Sequence, residues 1–429
     1  MSDFRMNASQ RTVVDKIGVD KIGSNKIVLR HLALIALVVV MSGCATIKGW
    51  FNDVKKENIE PPTPLSEPFT STINIQHVWS ERVGAGAEKT GVRMRPAYAD
   101  GKLYAASTTG ALEAFDAATG HSLWRKELGT RHGFIWHHGN NSVRLSGGPT
   151  VDGDLLVVGS LEGTLYAFGA ADGSERWKVQ LSSEVLAAPA IDSTLVVVRT
   201  NDGHIFGLDR TDGSRKWIFD RASVPLLSLR GNSAPVLADG VIYAGADNGK
   251  VIALREADGA SLWEQTLSAG EGRTEIDRLQ DIDGPLVLAD NIVYATSYRG
   301  QTGALIAQTG RPIWTHELGS FGGVAVSASQ IYLADADSNV YGLDLRTGSS
   351  EWKQDALKYR WLSEPAVQGD AVVVGDLEGW VHWLSISDGK LVGRQKLSKN
   401  PIQAAPIVVG DMVYVEDIYG ELAAYRVGK

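Results

Sequence analysis

From residue 96 to the C-terminus, apolar and polar residues alternate in short runs broken by turn residues. The first unit shows the pattern: Gly101-Lys-Leu-Tyr104-Ala-Ala, then Gly110-Ala-Leu-Glu-Ala-Phe-Asp116, then Thr119-Gly120-His-Ser-Leu-Trp124. Alternation with a period of two, bounded by Gly and Asp, predicts three short antiparallel strands. That is one propeller blade without its innermost strand.

The unit recurs. A glycine is followed four residues later by tryptophan at Gly120/Trp124, Gly173/Trp177, Gly213/Trp217, Gly259/Trp263, Gly310/Trp314 and Gly348/Trp352. Successive tryptophans are 38 to 53 residues apart, a spacing that marks a repeat architecture. A second tag runs in phase with the first. Pro96, Pro149, Pro189, Pro235, Pro285, Pro365 and Pro406 each open a short apolar run, and Gly323-Val-Ala stands in their place in the sixth copy. Proline has no amide donor, so within a sheet it belongs at a strand start or on an edge. Eight such starts predict eight innermost strands around a common axis.

The last copy runs through Pro406, Met412-Val-Tyr-Val and Gly420-Glu-Leu-Ala-Ala-Tyr425, then ends at Lys429 without an outer tryptophan strand. Upstream of the first copy, Ile73-Asn-Ile-Gln-His-Val-Trp79-Ser-Glu-Arg-Val83 is an orphan alternating strand that carries a tryptophan. It is expected to complete the eighth blade and so close the ring, which removes an exposed sheet edge. The seventh copy departs from the pattern, because Gly389 is followed by Gly393 and tryptophans stand instead at Trp380 and Trp383. The expected fold is therefore all-β: an eight-bladed β-propeller of four-stranded antiparallel blades over residues 71–429, about 45 residues to a blade. A length of 429 would ordinarily suggest two or three domains, but the unbroken repeat overrides that expectation.

The N-terminal region reads differently. Positive charge at residues 26–30 precedes an apolar run of ten, residues 32–41, too short for a bilayer-spanning helix, which needs about 20 residues. Met41-Ser42-Gly43-Cys44 follows and contains the only cysteine of the chain. Small residues before a lone cysteine resemble the bacterial lipobox, whose cysteine is acylated after the signal is cut. The alternative is an ordinary signal peptide followed by an incidental cysteine. Residues 1–43 are accordingly expected to be a lipoprotein signal, with Cys44 the lipidation site. Residues 44–70, with Pro61-Pro62-Thr63-Pro64, are expected to form a tether. In lipoprotein families an Asp after the cysteine commonly marks inner-membrane retention. Ala45 stands there, which points to the periplasmic face of the outer membrane.

Charge narrows the partners. The chain carries a net charge of −8, and loss of residues 1–43, with six Lys/Arg and three Asp/Glu, takes it to −11. Nucleic-acid binding rests on clustered cations that neutralise phosphates, so that class is set aside.

The blade unit resembles the pyrroloquinoline-quinone (PQQ) propeller repeat, in which the tryptophan docks between blades near a turn glycine. The layout as a whole, lipobox included, resembles the BamB family, the lipoprotein propellers of the bacterial outer-membrane β-barrel assembly machinery. The most specific stretches lie between blades: Leu226-Leu227-Ser228-Leu229-Arg230-Gly231-Asn-Ser-Ala-Pro235 and Thr274-Glu275-Ile276-Asp277-Arg278-Leu279-Gln280-Asp281-Ile282-Asp283. One departure is Gly303-Ala-Leu-Ile-Ala307, where the repeat has Asp at the strand end, so an irregular turn is expected in the fifth copy.

Two functional classes follow. PQQ-dependent dehydrogenases use eight-bladed propellers of this repeat, which makes a periplasmic quinoprotein the alternative reading. Such enzymes commonly carry a disulfide of adjacent cysteines, which a chain with one cysteine cannot form, and the chain has no Cys-x-x-Cys-His haem motif. The favoured reading is a non-catalytic scaffold with no cofactor and no metal. Leu227 and Leu229 alternate about Ser228 beside Arg230, and Asp281 and Asp283 alternate in the next connection. In extended segments brought side by side these give two apolar anchors, a guanidinium and two carboxylates, a composition suited to a protein-binding hot spot. The residues alone equally allow Leu227 and Leu229 to be core residues, with Arg230 paired internally to Asp281. The resemblance implies the binding patch: the family docks the POTRA domains of the barrel-forming subunit BamA there, alongside other subunits of the complex. It extends the expectation to unfolded outer-membrane protein clients, bound by strand addition.

Two weaker features remain. His132, His137 and His138 lie in a long connection with Phe134 and Trp136, and adjacent histidines point to opposite faces when extended, so a loop at the propeller mouth is expected over a metal site. Asp335, Asp337, Asp376 and Asp417 recur at similar places in their blades and are expected to accept turn hydrogen bonds.

Overall fold

The computed structural model describes residues 60–130, 141–220, 233–268, 280–298 and 300–428. Its compact unit begins at Pro62 and contains eight four-stranded antiparallel sheets. Blade 1 runs outward from Ala97–Ala99 through Lys102–Ala106 and Ala111–Asp116 to Ser122–Glu127. Blades 2 to 7 repeat this order over residues 150–180, 190–219, 236–266, 287–316, 325–354 and 366–396. Blade 8 is assembled from both ends of the unit: Ile407–Val409, Met412–Glu416 and Glu421–Gly428 are completed by Asn74–Arg82. The ring expected from the proline and tryptophan tags is thus formed, and the orphan strand closes it.

A shared irregularity shows that this closing strand is in phase. In blade 1 the outer pair shifts register between Ala114↔Trp124 and Phe115↔Ser122, a β-bulge one residue before the tryptophan. Blade 8 has the same bulge, with Ala424 opposite Trp79 and Tyr425 opposite His77. The bulge turns the indole off its own sheet and toward the next blade. Trp79 lies against Gly120 of blade 1, Trp124 against Gly173 of blade 2, and the series continues to Trp352 against Gly389 of blade 7. Each tryptophan therefore docks on the glycine of the following blade, not on the one four residues before it. Gly120 illustrates the need for glycine: its φ is +74°, and a Cβ there would stand 2.7 Å from Trp79 Cδ2. The indole N–H satisfies itself on the same turn, with Trp79 Nε1 donating to Ala117 O at 3.0 Å and Trp124 Nε1 to Ala170 O at 3.1 Å.

The core follows from this stacking. Both faces of each sheet are covered by neighbouring blades, so the middle strands are apolar throughout, as in Leu155–Gly159 and Ala371–Gly375. Buried side chains cluster between blades: Leu103, Phe115, Tyr414 and Leu422 join blades 8 and 1, and Val373, Trp383, Val413 and Tyr425 join blades 7 and 8.

The turn of blade 5 is regular despite its missing aspartate. Ile306 N donates to Arg311 O and Gly310 N to Ile306 O, matching Asp116 N to His121 O and Gly120 N to Asp116 O in blade 1. Thr309 N bonds to Ile306 O where Thr119 N uses the Asp116 carboxylate, and Arg311 N donates to Thr309 Oγ1 as His121 N does to Thr119 Oγ1. Asp335, Asp376 and Asp417 do cap their hairpins, each accepting two backbone N–H groups on Oδ1. Asp337 instead gives its own N–H to Asp335.

The chain entering the ring is fastened to blade 7. Thr63 N donates to Lys358 O and Thr72 N to Val392 O, Leu65 packs among apolar residues of blades 6 and 7, and Arg394 pairs with Glu67 at 2.5 Å. Arg360, almost fully buried, donates to Thr63 O while its Nε holds Asp376 at 2.7 Å.

Candidate functional site

One end of the ring carries the connections between blades, and the structure shows what positions them. Among the described residues, three of these connections are bonded to the hairpins that join the second and third strands of both flanking blades. Ile282 N donates to Ala246 O of blade 4, and Tyr298 N of blade 5 donates to Asp281 O. Tyr359 N donates to Asp337 O of blade 6, and Leu377 N of blade 7 donates to Arg360 O. Ile402 N donates to Asp376 O of blade 7, and Ile418 N of blade 8 donates to Pro401 O. These backbone bonds tie the three connections to their blades.

The connections on either side of blade 4 meet over one glycine. A Cβ on Gly245 would stand 2.6 Å from Ile282 Cγ2 and 2.7 Å from Ser233 Oγ. Ser233 ends the connection between blades 3 and 4, and Ile282 lies in that between blades 4 and 5. Ser233 and Ile282, from the two connections, thus approach the same residue of blade 4. Leu227, Leu229 and Arg230 lie outside the described residues, as do His132, His137, His138, Phe134 and Trp136, and Cys44.

Asp281 and Asp283 are not surface carboxylates. They are 0% and 4% exposed, within a buried charged group that also contains Asp247 and Arg199, joined by an ion pair. Alternation placed them on one outward face only if the segment ran as an open strand. The backbone bonds of Asp281 and Ile282 instead draw it inward between blades 4 and 5. Burial, and then the charge of Asp281, push the Asp283 carboxyl up to about 7, with Asp247 adding to the rise and Arg199 and Arg93 opposing it.

Asp283 also reaches the axis, where a cavity of about 510 Å³ lies inside the ring. The residues that precede the innermost strands line its wall. At these positions Gly148, Ala188, Ala234 and Ala405 are small, whereas Arg95 and Glu364 are charged. Burial pushes the Glu364 carboxyl up to about 7 against the pull of Arg95 and Arg93. Arg93, lowered to about 10 by burial, lies 3.7 Å from the centre of the Phe321 ring. This charged lining was missed from the sequence, although a signal existed. Reading the pre-proline positions as one ring would have singled out Arg95 and Glu364 among small residues.

Fold and site define a class: a PQQ-repeat propeller with a rim of inter-blade connections and a charged axial cavity. The family model described as outer membrane protein assembly factor BamB matches residues 76–134, 133–354 and 352–428. A relative of that name from Xanthomonas campestris pv. campestris is 46% identical over 353 residues, covering 81% of this chain and 85% of its own length. The crystal structure of BamB from Moraxella catarrhalis aligns with a TM-score of 0.73 at 29% identity, over 82% of this chain and all of that one. The chain belongs to the BamB family of outer membrane protein assembly factors. A quinohemoprotein alcohol dehydrogenase from Comamonas testosteroni aligns with a TM-score of 0.63 at 15% identity, over 87% of this chain and 82% of its own, and shares the fold alone.

Proposed function

We propose that the chain is a non-catalytic scaffold of outer-membrane protein assembly, held on the periplasmic face of the outer membrane by lipid on Cys44. Residues 1–43 are its signal, and the stretch from Cys44 to the ring is its tether. The rim is its working surface. Leu227, Leu229 and Arg230, in the connection between blades 3 and 4, dock the POTRA domains of BamA and thereby place the chain among the other subunits of the complex. Asp281 and Asp283, being buried, support the fold beside blade 4 instead of touching the partner. The observation that carries this reading is the meeting of the two connections over Gly245, which fixes the inner ends of both on a rigid blade. Rigid placement lowers the ordering cost of an interface. Unfolded barrel clients are a second class of partner, reached by strand addition at the outer blade edges.

Affinity capture from membranes, read by mass spectrometry, tests the proposal. The barrel-forming subunit is expected among the captured proteins. A chain that captured only electron-transfer proteins, or that oxidised alcohols when given PQQ and Ca²⁺, would restore the quinoprotein reading. Fractionation tests the anchor separately. Cys44→Ala is expected to leave the outer membrane once its protein partners are absent, since acyl burial at ~0.8 kcal/mol per CH₂ supplies the attachment.

A further inference from the structure

The connection between blades 6 and 7 carries the most exposed large apolar side chain among the described residues. Trp361 is 65% exposed, whereas Arg360 beside it is 1% exposed. The backbone there is unusual: φ is +60° at Tyr359 and +50° at Trp361, in the left-handed region that residues other than glycine rarely adopt. Arg360 holds it in place. Its Nε and Nη2 pair with Asp376 and Glu378 of blade 7, its Nη1 donates to Thr63 O at 2.8 Å, and its carbonyl accepts from Leu377 N. Tyr359 N donates to Asp337 O of blade 6, so the turn is fixed to both blades while the indole is left in solvent. An uncommon conformation enforced by its surroundings is a pointer to function. The same turn receives the incoming chain: Thr63 N donates to Lys358 O, and Thr63 O accepts from Arg360. Cys44 lies 19 residues before Thr63. A chain of that length spans at most about 65 Å when fully extended.

We propose that Trp361 rests in the interface of the phospholipid leaflet that holds the ring, so that the turn between blades 6 and 7 faces the membrane; this rests on Cys44 being the lipid anchor. Three observations select a lipid surface. The first is position. The chain from Cys44 joins the ring at Thr63, bonded to the turn that carries Trp361. The turn therefore meets the bilayer as part of a molecule already held there, and a contact too weak to recruit the ring alone suffices. Leu123, Ile218, Leu262 and Ile313, also exposed, lie instead on the outer strands of blades 1, 3, 4 and 5. The second is chemistry. Tryptophan favours the membrane–water interface, where its ring body is in an apolar layer and its N–H stays wet. The third is what the turn withholds. Arg360 is spent on Asp376 and Glu378, and Lys358 Nζ lies 4.6 Å from the centre of the Tyr359 ring. A protein hot spot draws on matched polar groups beside its aromatic anchor, whereas a lipid interface needs none.

The test is fluorine NMR of the full lipidated chain, its tryptophans replaced by fluorotryptophan, on nanodiscs of phosphatidylethanolamine and phosphatidylglycerol. The Trp361 line is the one lost in Trp361→Phe, a change at an exposed position that leaves the fold and the acyl anchor in place. Adding a lipid with a nitroxide headgroup is expected to broaden the Trp361 line severalfold. The lines of Trp177 and Trp217, on the outer strands of blades 2 and 3, should keep their widths. A Trp361 line unmoved by the nitroxide, on a chain that elutes with the discs, overturns the proposal and leaves the lipid anchor standing. Equal broadening of Trp177 and Trp217 overturns it as well, since the ring would then have no fixed face to the bilayer. A Trp361 line that ignores the nitroxide but shifts on addition of the POTRA domains of BamA makes the turn a protein-docking site instead. A chain that does not elute with the discs removes the lipid anchor itself, and this proposal falls with it.

Discussion

Trp383 stands directly opposite Gly393 across the outer strand pair of blade 7, the reverse of the other blades. In blade 1 it is Ala114 that faces Trp124, and in blade 6 Gly342 faces Trp352. One large and one small residue fill the same space from opposite strands. Trp383 is fully buried, meets Tyr425 of blade 8 edge-on at 6.1 Å, and donates from Nε1 to Gln368 Oε1 at 2.9 Å. Removing the outer indole frees room beside Gly393, where Ile73 and Ile75 of the closing strand enter.

The inversion is therefore expected to be irreplaceable. Trp383→Ala should cost ~3–5 kcal/mol through a cavity and an orphaned Gln368 carbonyl. Adding Gly393→Trp should not rescue it, because a Cβ at Gly393 already stands 2.5 Å from Ile75 Cδ1. Thermal melts of the single and double variants decide the matter, and full recovery in the double variant would show that the two positions are interchangeable.

The blades were legible in the sequence because two tags, Pro and Gly-x-x-x-Trp, report on the same strands from opposite ends. The closing strand was legible for the same reason, as Trp79 had no blade of its own. The docking partner was not, since a glycine four residues before a tryptophan looks like its mate, although Gly120 in fact receives Trp79. Asp281 and Asp283 were misplaced because alternation gives the relative direction of two side chains, and only tertiary packing says which direction is outward. The axial charges were hidden for a related reason: Arg95 and Glu364 lie in separate blades and become neighbours only when the ring closes.

Closure itself makes the second prediction. Trp79 contributes both its stack with Phe115, with ring centroids 6.5 Å apart, and its bond to Ala117 O, across the junction of blades 8 and 1. Trp79→Ala should cost ~3–5 kcal/mol, as for a buried aromatic elsewhere. Deletion of residues 73–83 should go further, exposing the edge of Glu421–Gly428 and causing aggregation. Size-exclusion chromatography and melts check both, and a deletion variant that stayed monodisperse with an unchanged melting temperature would contradict closure by this strand.

A third prediction concerns pH. With a native pKa of about 7 and an unfolded value near ~3.9, Asp283 holds a proton in the folded state that the unfolded chain has released. Stability therefore falls as pH rises from about 4 to about 7, and the penalty is complete above that window. Asp281, Asp247, Arg199 and Arg93 all act on this carboxyl, so the shift belongs to the group as a whole. Asp283→Asn cannot ionise. It is expected to be more stable than the parent at pH 8, by at most about 4 kcal/mol, and to lose that advantage at pH 4. Denaturant midpoints at the two pH values measure this, and an advantage larger at pH 4 would reverse the sign argued here.

The last prediction separates docking from folding on the rim. Arg230 offers a planar, permanently charged fork for a partner carboxylate, and Leu227 with Leu229 can fill an apolar groove beside it. Truncating such an anchor typically costs ~2 kcal/mol or more, over tenfold in affinity. Arg230→Ala, or Leu227→Ala with Leu229→Ala, is expected to abolish capture of BamA while leaving the melt unchanged. Asp281→Ala should behave differently, because Asp281 is fully buried between blades 4 and 5: it should lower the melting temperature, and any loss of capture should track that loss of stability. Asp281 is the discriminating control, since a surface hot spot predicts lost capture with an intact fold for all four residues. Capture retained by the Arg230 and leucine variants would remove the rim connection between blades 3 and 4 from the interface. A collapsed melt in those same variants would make them core residues instead, with Arg230 serving the fold and not the partner.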